Sequence, residues 1–553
     1  MMHSGPSGQP GLVARLMIFP TLFLRPIPPL GYVNLIFFIS RLIFFITGIR
    51  FDDSRVGSLN QLADPALLQS RFCESLFYLH NQPPLFNAYI GLVLKLSPHR
   101  ATAVFAITFL VLGWLLANAM YFLMVQLGAS PMLGARLAVL CMISPSCLLY
   151  ENWLFYTYPL AVLLCLSPVF LRLYLTRESL GFGFCFFLGL AFLVLMRSVF
   201  HIGWFLLILL IVRFYRKMSA GEILKITGVP LALVCLLYLK NYACFHMVTG
   251  SSSWGMNLAK IALSGLSKEK LNQWAEEGIV SRMALIEPFS FLDLYRPYIP
   301  DPVRTGIPLL DEEVKRSGVP NFNHISYIYI SQQYLHDSWR AIVADPWNYI
   351  QNAGAGVYTY FLPSNYYSFL HANRVAIKAY ARAYNALVYG QWFEKEEEWN
   401  RVTQATAAGI FRSFFHVGSV IVVAYAGVLV YFGLYIGRNH KTLRQDPAYG
   451  LPLLVLFFNL VYISLAVNST ELGENQRYRY MTEPSAFVLL GVMISNMTSR
   501  TANHLRPDGK SGEEESVSSP VQDNGNNLPV CSAAFEHPRR GMSIPQGVSP
   551  GRD

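Results

Sequence analysis

The chain has 553 residues, of which 53% are hydrophobic, 14% are aromatic and only 14% are charged. Soluble globular proteins carry about 25% charged residues, so this composition excludes a soluble multidomain protein and predicts an integral membrane protein. The formal net charge of +10 forms no compact basic patch in the sequence, and much of it falls in short loops. That distribution is typical of charges that orient a membrane protein and argues against a nucleic-acid partner.

The eight cysteines are scattered, mostly inside apolar segments, with no CxxC pair and no histidine spacing that suits zinc. The sequence therefore predicts neither a disulfide framework nor a structural metal, and we assign no metal-binding residues. It leaves open a divalent cation as a cofactor.

Apolar runs recur along the chain at about the length of 20 residues that crosses a bilayer core of about 30 Å. About ten are predicted, at 31–49, 103–127, 133–150, 154–174, 180–199, 201–214, 223–244, 410–436, 449–467 and 482–497. The predicted fold class is an all-α polytopic membrane protein with about ten transmembrane helices.

Composition divides the chain into four predicted regions. Residues 1–245 form an N-terminal transmembrane module, with a first outer loop at 50–102. Residues 246–409 mix aromatic and polar residues and are predicted to form a mainly helical domain outside the bilayer. The last spans occupy 410–498. The region 499–553 is rich in Ser, Gly, Asn, Pro and charge, so it buries too little apolar surface to fold and is predicted to be a disordered tail.

Four polar motifs lie where predicted apolar segments begin or end. They are the pair Asp52 and Asp53, the turn Asn81-Gln82-Pro83-Pro84-Leu85-Phe86-Asn87, the lone Glu151, and the run Arg477-Tyr478-Arg479-Tyr480. Each has an ordinary explanation, since carboxylates commonly end a solvated helix and arginines commonly anchor a span at the interface. Their combination and order carry the functional information.

Short loops rich in arginine and lysine predict the orientation of the chain. Their basic residues, Arg172, Arg177, Arg213, Arg216, Lys217, Arg438, Lys441 and Arg444, fall on one side if the spans alternate. By the positive-inside rule this side is cytoplasmic, and both termini lie on it. The acidic motifs, the 246–409 domain and the arginines before the last span then share the extracytoplasmic face.

The order of these motifs resembles the GT-C membrane glycosyltransferases, and most closely the branch of protein O-mannosyltransferases and lipid A aminoarabinose transferases. The resemblance covers roughly residues 30–240 and 410–498. It implies transfer of a sugar, with inversion, from a polyprenyl- or dolichyl-phosphate donor to a hydroxyl of a glycan, lipid or protein acceptor. The reaction would take place beside membrane lipids on the extracytoplasmic or lumenal face. A bacterial plasma membrane is favoured, and the membrane of the eukaryotic endoplasmic reticulum is the alternative.

The resemblance also implies roles for the acidic residues. Asp52 matches the carboxylate that removes the acceptor proton, a task for a group within hydrogen-bond reach of the hydroxyl. Asp53 stands where a glutamate is more common, which leaves the division of roles within the pair open. Glu151 matches a second acidic position, and it would hold the acceptor or position a loop.

Four arginines are predicted to bind the donor phosphate, because a planar guanidinium can hold two phosphate oxygens at once. Arg477 and Arg479 lie beside the last span. Arg41 lies inside the first span and Arg197 near the outer end of another. A charge at the centre of a span costs about 2.5 to 3.5 kcal/mol, so Arg41 is predicted to face the bundle interior and to have a partner there.

Three further residues, His201, Asn81 and Tyr478, are predicted to position the substrate. For His201 the alternative is a structural histidine whose hydrogen bonds are satisfied within the fold.

Two alternatives to the glycosyltransferase remain, so there are three functional hypotheses in all. A polytopic transporter or lipid flippase would place ionisable groups and broken helices near the membrane midplane, commonly in two repeated halves. Most candidate residues here lie at span ends, and no internal repeat is visible, which favours the enzyme. The third hypothesis is a non-catalytic member of the transferase fold, for which Asp53 in place of glutamate would be one sign.

Overall fold

The computed structural model describes residues 27–391 and 417–504. The α-helices in these ranges are α1 (Pro29–Ile46), α2 (Pro65–Ser70), α3 (Phe72–Phe77), α4 (Leu85–Leu96), α5 (Ala101–Gln126), α6 (Pro131–Met142), α7 (Pro145–Glu151), α8 (Thr157–Arg177), α9 (Leu180–Met196), α10 (Ile202–Arg216), α11 (Ala220–Phe245), α12 (Trp254–Ala262), α13 (Lys268–Glu276), α14 (Leu292–Tyr295), α15 (Pro308–Asp311), α16 (Ser326–Ala344), α17 (Pro346–Phe361), α18 (His371–Ala376), α19 (Lys378–Tyr384), α20 (Ser419–Gln445), α21 (Pro447–Asn468) and α22 (Asn475–His504). These ranges contain no β-strand, only isolated bridges between Asp52 and Trp153 and between Val314 and Pro320. The predicted all-α class is confirmed.

Six helices are long and apolar enough to cross a membrane: α1, α5 with its preceding turn, α8, α11, α20 and α21. Helices α6 and α7 meet at an angle of 61° and make a seventh span if the pair counts as one. The chain is therefore a multi-pass helical membrane protein.

The number of ten spans stays a prediction, although each predicted segment overlaps at least one helix; 133–150 covers the bent pair α6 and α7, and the start of 410–436 lies outside the described residues. Helices α9 and α10 have only 17 and 15 residues, and 15 residues extend about 22 Å, less than the bilayer core. Helix α22 carries Arg477, Arg479 and Glu483 near its start, which lowers its apolar character.

Local sequence explains the bend that separates α6 from α7. The hydroxyl of Ser144 caps α7 by accepting a hydrogen bond from the backbone N–H of Cys147, at 3.1 Å. Pro145 follows as the first helical residue, a position that needs no N–H donor. Proline also disfavours a helical conformation for the residue before it, so α6 cannot continue through this point. The bend directs α7 into the bundle, with Glu151 as its last residue.

The segment between the two groups of apolar helices has an apolar core of its own. Buried residues from α12, α13 and α16, among them Met256, Trp274 and Ile330, form a cluster separate from the large core of the apolar helices. At Gly255, α12 lies so close to α16 that an added Cβ would overlap the carbonyl oxygen of Ser331. The described part of this segment is folded and mainly helical, and its last helix, a π-helix, spans Asn385–Tyr389.

The described residues cover the four predicted regions only in part, and the predicted domain boundaries stay predictions. Residues 1–26, 392–416 and 505–553 lie outside them, including the end of the 246–409 domain and most of the 499–553 tail. Helix α22 continues past the predicted boundary at 499 as far as His504.

Candidate functional site

A polar pocket of about 190 Å³ lies where α12 meets the C-terminal end of α9 and the loops that precede α4 and α22. Its lining residues are Asn60, Gln61, Asn81, Gln82, Arg197, Asn257, Lys260, Glu287, Pro288, Phe289, Glu471 and Glu474. Two of them, Asn81 and Arg197, were predicted from the sequence. Asp52 and Asp53 are outside the lining, although Asn60 and Gln61 belong to the loop that follows them.

Arg197 is the buried cation of this pocket, with only 4% of its surface exposed at the end of α9. Its Nη1 donates to Oε1 of Gln82 at 2.9 Å, and its Nη2 donates to the hydroxyl of Tyr478. Its Nε has no hydrogen-bond partner among the described residues. All the partners are neutral, and a buried charge without an opposite charge is costly. Arg197 therefore presents an anion with a positive charge that no carboxylate among the described residues matches, in a lining that also carries Glu287, Glu471 and Glu474.

The other three arginines predicted to bind phosphate have carboxylate partners. Arg41 pairs with Glu151 at 2.6 Å, Arg477 pairs with Glu474, and Arg479 pairs with Glu483 at 3.1 Å. Among the four, within the described part of the chain, only Arg197 lacks such a partner. Arg41 faces the bundle interior and has the partner that its charge demanded. A phosphate on any of these three arginines would compete with the carboxylate already present, so their role as donor ligands remains a prediction.

Arg477 lies directly behind the pocket wall and shares an aromatic ring with Arg197. The guanidinium carbons of Arg197 and Arg477 lie 5.1 and 5.5 Å from the ring centroid of Tyr156. Nη1 of Arg477 also donates to the Tyr156 hydroxyl at 3.0 Å. Cation–π contacts stabilise both guanidinium groups without neutralising them. Tyr478, predicted to position substrate, contributes a second such ring to both arginines.

Three charged residues of the pocket, Lys260, Glu471 and Glu474, belong to no motif singled out from the sequence. Nζ of Lys260 lies 2.7 Å from Oε1 of Glu471. Burial lowers the pKa of Lys260, but the charges of Glu471 and Glu474 outweigh it and leave the pKa raised. Burial raises the pKa of Glu474, yet Arg477 and Lys260 outweigh it and bring the pKa to about 2. Lys260 and Glu474 are therefore charged at neutral pH.

Local signals for these residues were weak. Lys260 lies in a segment that the family resemblance covers poorly, and its partner Glu471 is 211 residues away in the chain. Tyr156 belongs to an aromatic run after Glu151, a composition also expected of an ordinary interfacial belt.

Asp52 is held by the backbone on one side and leaves a carboxylate oxygen open on the other. Its N–H donates to the carbonyl of Asn152 at 2.8 Å, and its own carbonyl accepts from the N–H of Leu154 at 2.9 Å. Oδ1 accepts from the N–H and the hydroxyl of Ser54, at 3.0 and 2.6 Å. Oδ2 accepts no hydrogen bond from the described residues. Asp52 thus combines a fixed backbone with a free oxygen.

The backbone pairing of Asp52 with residues 152–154 connects it, through a few residues of chain, to Tyr156, the ring that Arg197 and Arg477 share. Tyr156 is three residues beyond Trp153, a reach of at most about 11 Å along the chain. Asp53 is tied differently, since its Oδ2 accepts from the hydroxyl of Thr102 at 2.7 Å, at the start of α5. The two carboxylates therefore have different neighbours.

The remaining predicted residues have firm contacts within the fold. His201 caps α10, its Nδ1 accepting from the N–H of Trp204 at 3.3 Å, which matches the structural alternative. Nδ2 of Asn81 donates to the carbonyl of Asn60 at 2.7 Å, and its Oδ1 accepts from the hydroxyl of Ser253. These contacts shape the pocket, and no observation tests a contact with substrate.

In residues 27–391 and 417–504, no three His, Cys, Asp or Glu side chains are grouped so as to hold a metal ion, and a divalent cation stays a prediction. Comparisons with protein-family models, with curated proteins and with solved structures give no match for this chain.

Proposed function

We propose that the chain is an integral membrane glycosyltransferase of the GT-C type, with about ten spans. It transfers a sugar from a polyprenyl- or dolichyl-phosphate donor to an acceptor hydroxyl on the extracytoplasmic or lumenal face, with inversion. The single observation that carries the proposal is Arg197, a buried guanidinium in the wall of a polar pocket without a carboxylate partner in the described residues. Such a group fits an anionic phosphate at the membrane edge.

In the proposed reaction, Oδ2 of Asp52 accepts the proton of the acceptor hydroxyl. The hydroxyl oxygen forms a bond to the anomeric carbon as the bond between that carbon and the phosphate oxygen breaks. The lipid phosphate leaves with both electrons of the broken bond, and the charge that it gains lies beside Arg197. Lys260 lies in the same wall but is already paired with Glu471 at 2.7 Å, so it is Arg197 that meets the phosphate. The stronger these contacts are in the transition state than in the ground state, the faster the transfer.

The position of these groups favours the enzyme over a transporter or flippase. The pocket lies at the ends of α9 and α22, beside the helical segment that follows α11, and its residues are polar and charged. A transport pathway would instead place such groups near the midplane. The pair of Arg41 and Glu151 is buried inside the bundle, but each charge there is already matched by the other.

Native mass spectrometry of the purified full-length protein tests the phosphate site. The wild type should carry an adduct with the mass of a polyprenyl- or dolichyl-phosphate sugar. Arg197→Gln should lose most of it while remaining folded, because no buried carboxylate is left unpaired by that change. Arg282→Gln, at an exposed arginine outside the pocket lining, should retain the adduct.

Two results would overturn the proposal. One is full occupancy of the lipid-phosphate adduct in a folded Arg197→Gln protein. The other is an adduct that never passes its sugar to any hydroxyl acceptor, which would favour a flippase or a non-catalytic member of the transferase fold.

A further inference from the structure

A second groove, of about 690 Å³, lies at the opposite end of α10 from Arg197. It is lined by Leu210, Ile211, Arg213, Phe214, Tyr215, Lys217, Met218 and Arg444. Helix α10 begins at Ile202, a few residues after Arg197, and its 15 residues extend about 22 Å to Arg216. The groove and the polar pocket are therefore separate sites near opposite faces of the membrane.

One wall of the groove is apolar and exposed. Leu210 and Phe214 have 61% and 60% of their surfaces exposed on the outside of the apolar helices. They lie one helical turn apart, so their side chains form a continuous strip along α10. A strip of this kind next to a predicted span suits contact with an acyl chain.

The other wall is cationic and is built from two distant parts of the chain. Arg213 and Lys217 come from the end of α10, and Arg444 comes from the last turn of α20. None of the lining residues is acidic. The nearby Glu222 is engaged by Arg216 at 3.3 Å, and Asp446 caps α21 by accepting from the N–H of Tyr449. The positive charge of the groove is thus not neutralised by its surroundings.

Helix capping accounts for one of these cations but not for all three. Basic residues near a helix C-terminus commonly bind carbonyl groups there, and Arg213 donates to the carbonyl of Met218, two residues past the end of α10. The side chains of Lys217 and Arg444 make no such bond within the described residues. The guanidinium carbon of Arg444 instead lies 4.3 Å from the ring centroid of Phe214, which holds the charge over the groove.

We propose that this groove binds an anionic phospholipid. Lys217 and Arg444 contact the phosphate, and one acyl chain follows the strip of Leu210 and Phe214. A zwitterionic lipid fits less well, because no carboxylate lines the groove to match a choline or ethanolamine group. The positive-inside rule assigns these loops to the cytoplasmic side, whose leaflet carries anionic lipids. The proposal is independent of sugar transfer.

Lipid binding to the full-length protein in a neutral detergent provides the test, with dioleoylphosphatidylglycerol as the anionic probe and dioleoylphosphatidylcholine as its zwitterionic match. Native mass spectrometry over a lipid titration gives the apparent affinity of each. Juxtamembrane cations contribute about 1 kcal/mol each, so the double variant Lys217→Asn with Arg444→Gln should bind the anionic lipid about 30-fold more weakly. Asparagine is chosen because Lys217 has a φ of 55°, which asparagine tolerates.

A matched control removes the same charge elsewhere. Lys268→Gln with Arg282→Gln changes two exposed residues in the segment after α11 and should leave lipid affinity unchanged. Equal affinity of the wild type and the groove variant for phosphatidylglycerol would overturn the proposal, as would an equal loss in the control. An equal loss of phosphatidylcholine affinity in the groove variant would also overturn it. Inorganic phosphate at millimolar concentration should not displace phosphatidylglycerol from the groove. Full displacement would mean that the groove binds a free anion and not a lipid.

Discussion

Arg41 and Glu151 form a two-point ion pair inside the helical bundle although they are 110 residues apart in the chain. Nε of Arg41 lies 3.0 Å from Oε1, and Nη2 lies 2.6 Å from Oε2 of the carboxylate. The hydroxyl of Tyr158 donates to the same Oε2 at 2.8 Å. The pair ties α1 to the end of α7, and it occupies the carboxylate that the sequence assigned to the acceptor.

Removal of the negative charge of this pair should destabilise the protein. Glu151→Gln leaves the buried guanidinium of Arg41 without an opposite charge, and breaking a buried pair in this way costs about 3 to 5 kcal/mol. Thermal unfolding in detergent, followed by intrinsic fluorescence, should show a clear fall in Tm. The double variant Arg41→Met with Glu151→Leu should regain most of the loss. Unchanged stability of Glu151→Gln with loss of sugar transfer would instead support direct contact of Glu151 with the acceptor.

A glycine opposite this pair gives a steric test of the same contact. An added Cβ at Gly113 would overlap Oε2 of Glu151 and would lie 2.6 Å from the hydroxyl of Tyr158. Overpacking of a core costs about 1 to 3 kcal/mol, so Gly113→Ala should lower Tm. Gly221→Ala is the matched control, since nothing lies within 4 Å of its added Cβ. A Tm for Gly113→Ala equal to that of the control would mean that α5 is free to move away from the pair.

The ion pair of Arg41 and Glu151 also shows which features of the structure can be predicted from the sequence. The charge of Arg41 within an apolar run predicts a buried partner, because an unpaired charge in the bilayer is too costly. The identity of that partner depends on the bend at Pro145, which no periodicity predicts. Apolar runs likewise predict where the helices lie, since burial of apolar residues determines them. Lys260 and Glu471 escaped notice because each is an ordinary surface-type residue until the fold brings them together.

The buried histidine His80 predicts how stability depends on pH. Its Nε2 lies 2.9 Å from the carbonyl of Asn323, so Nε2 carries the hydrogen and Nδ1 accepts from Ser252 at 2.8 Å. Burial, with a contribution from the charge of Lys240, lowers the pKa of His80 to about 3. The unfolded chain takes up this proton near pH 6.5 and the folded chain only near pH 3. Its contribution to stability is complete above about pH 6.5 and is lost as the pH falls toward 3.

Acidification from pH 7.5 to 5 should therefore remove about 2 kcal/mol from the free energy of unfolding through His80. In His80→Gln the starting stability is lower, because the ring contacts are lost, but Tm should fall less over this pH range. His99→Gln changes an exposed histidine and should keep the pH dependence of the wild type. Parallel Tm curves for the wild type and His80→Gln would contradict a neutral, buried His80.

The last prediction concerns Asp52, whose Oδ1 is engaged by Ser54 while Oδ2 is open. Asp52→Asn keeps an oxygen for Ser54 and leaves the backbone bonds to the 152–154 segment intact, so the fold and donor binding should persist. The proton acceptor is gone, and kcat for sugar transfer should fall by about 10² to 10⁴. Asp53→Asn should cost less, since Asp53 is tied to Thr102 and its proposed part is to position its neighbour. Turnover and lipid-phosphate occupancy measured on the same preparations separate loss of chemistry from loss of binding. Asp301→Asn, at an exposed carboxylate away from the pocket, should leave both unchanged. Wild-type turnover in Asp52→Asn would exclude Asp52 as the base, and a greater loss in Asp53→Asn would transfer that role to its neighbour.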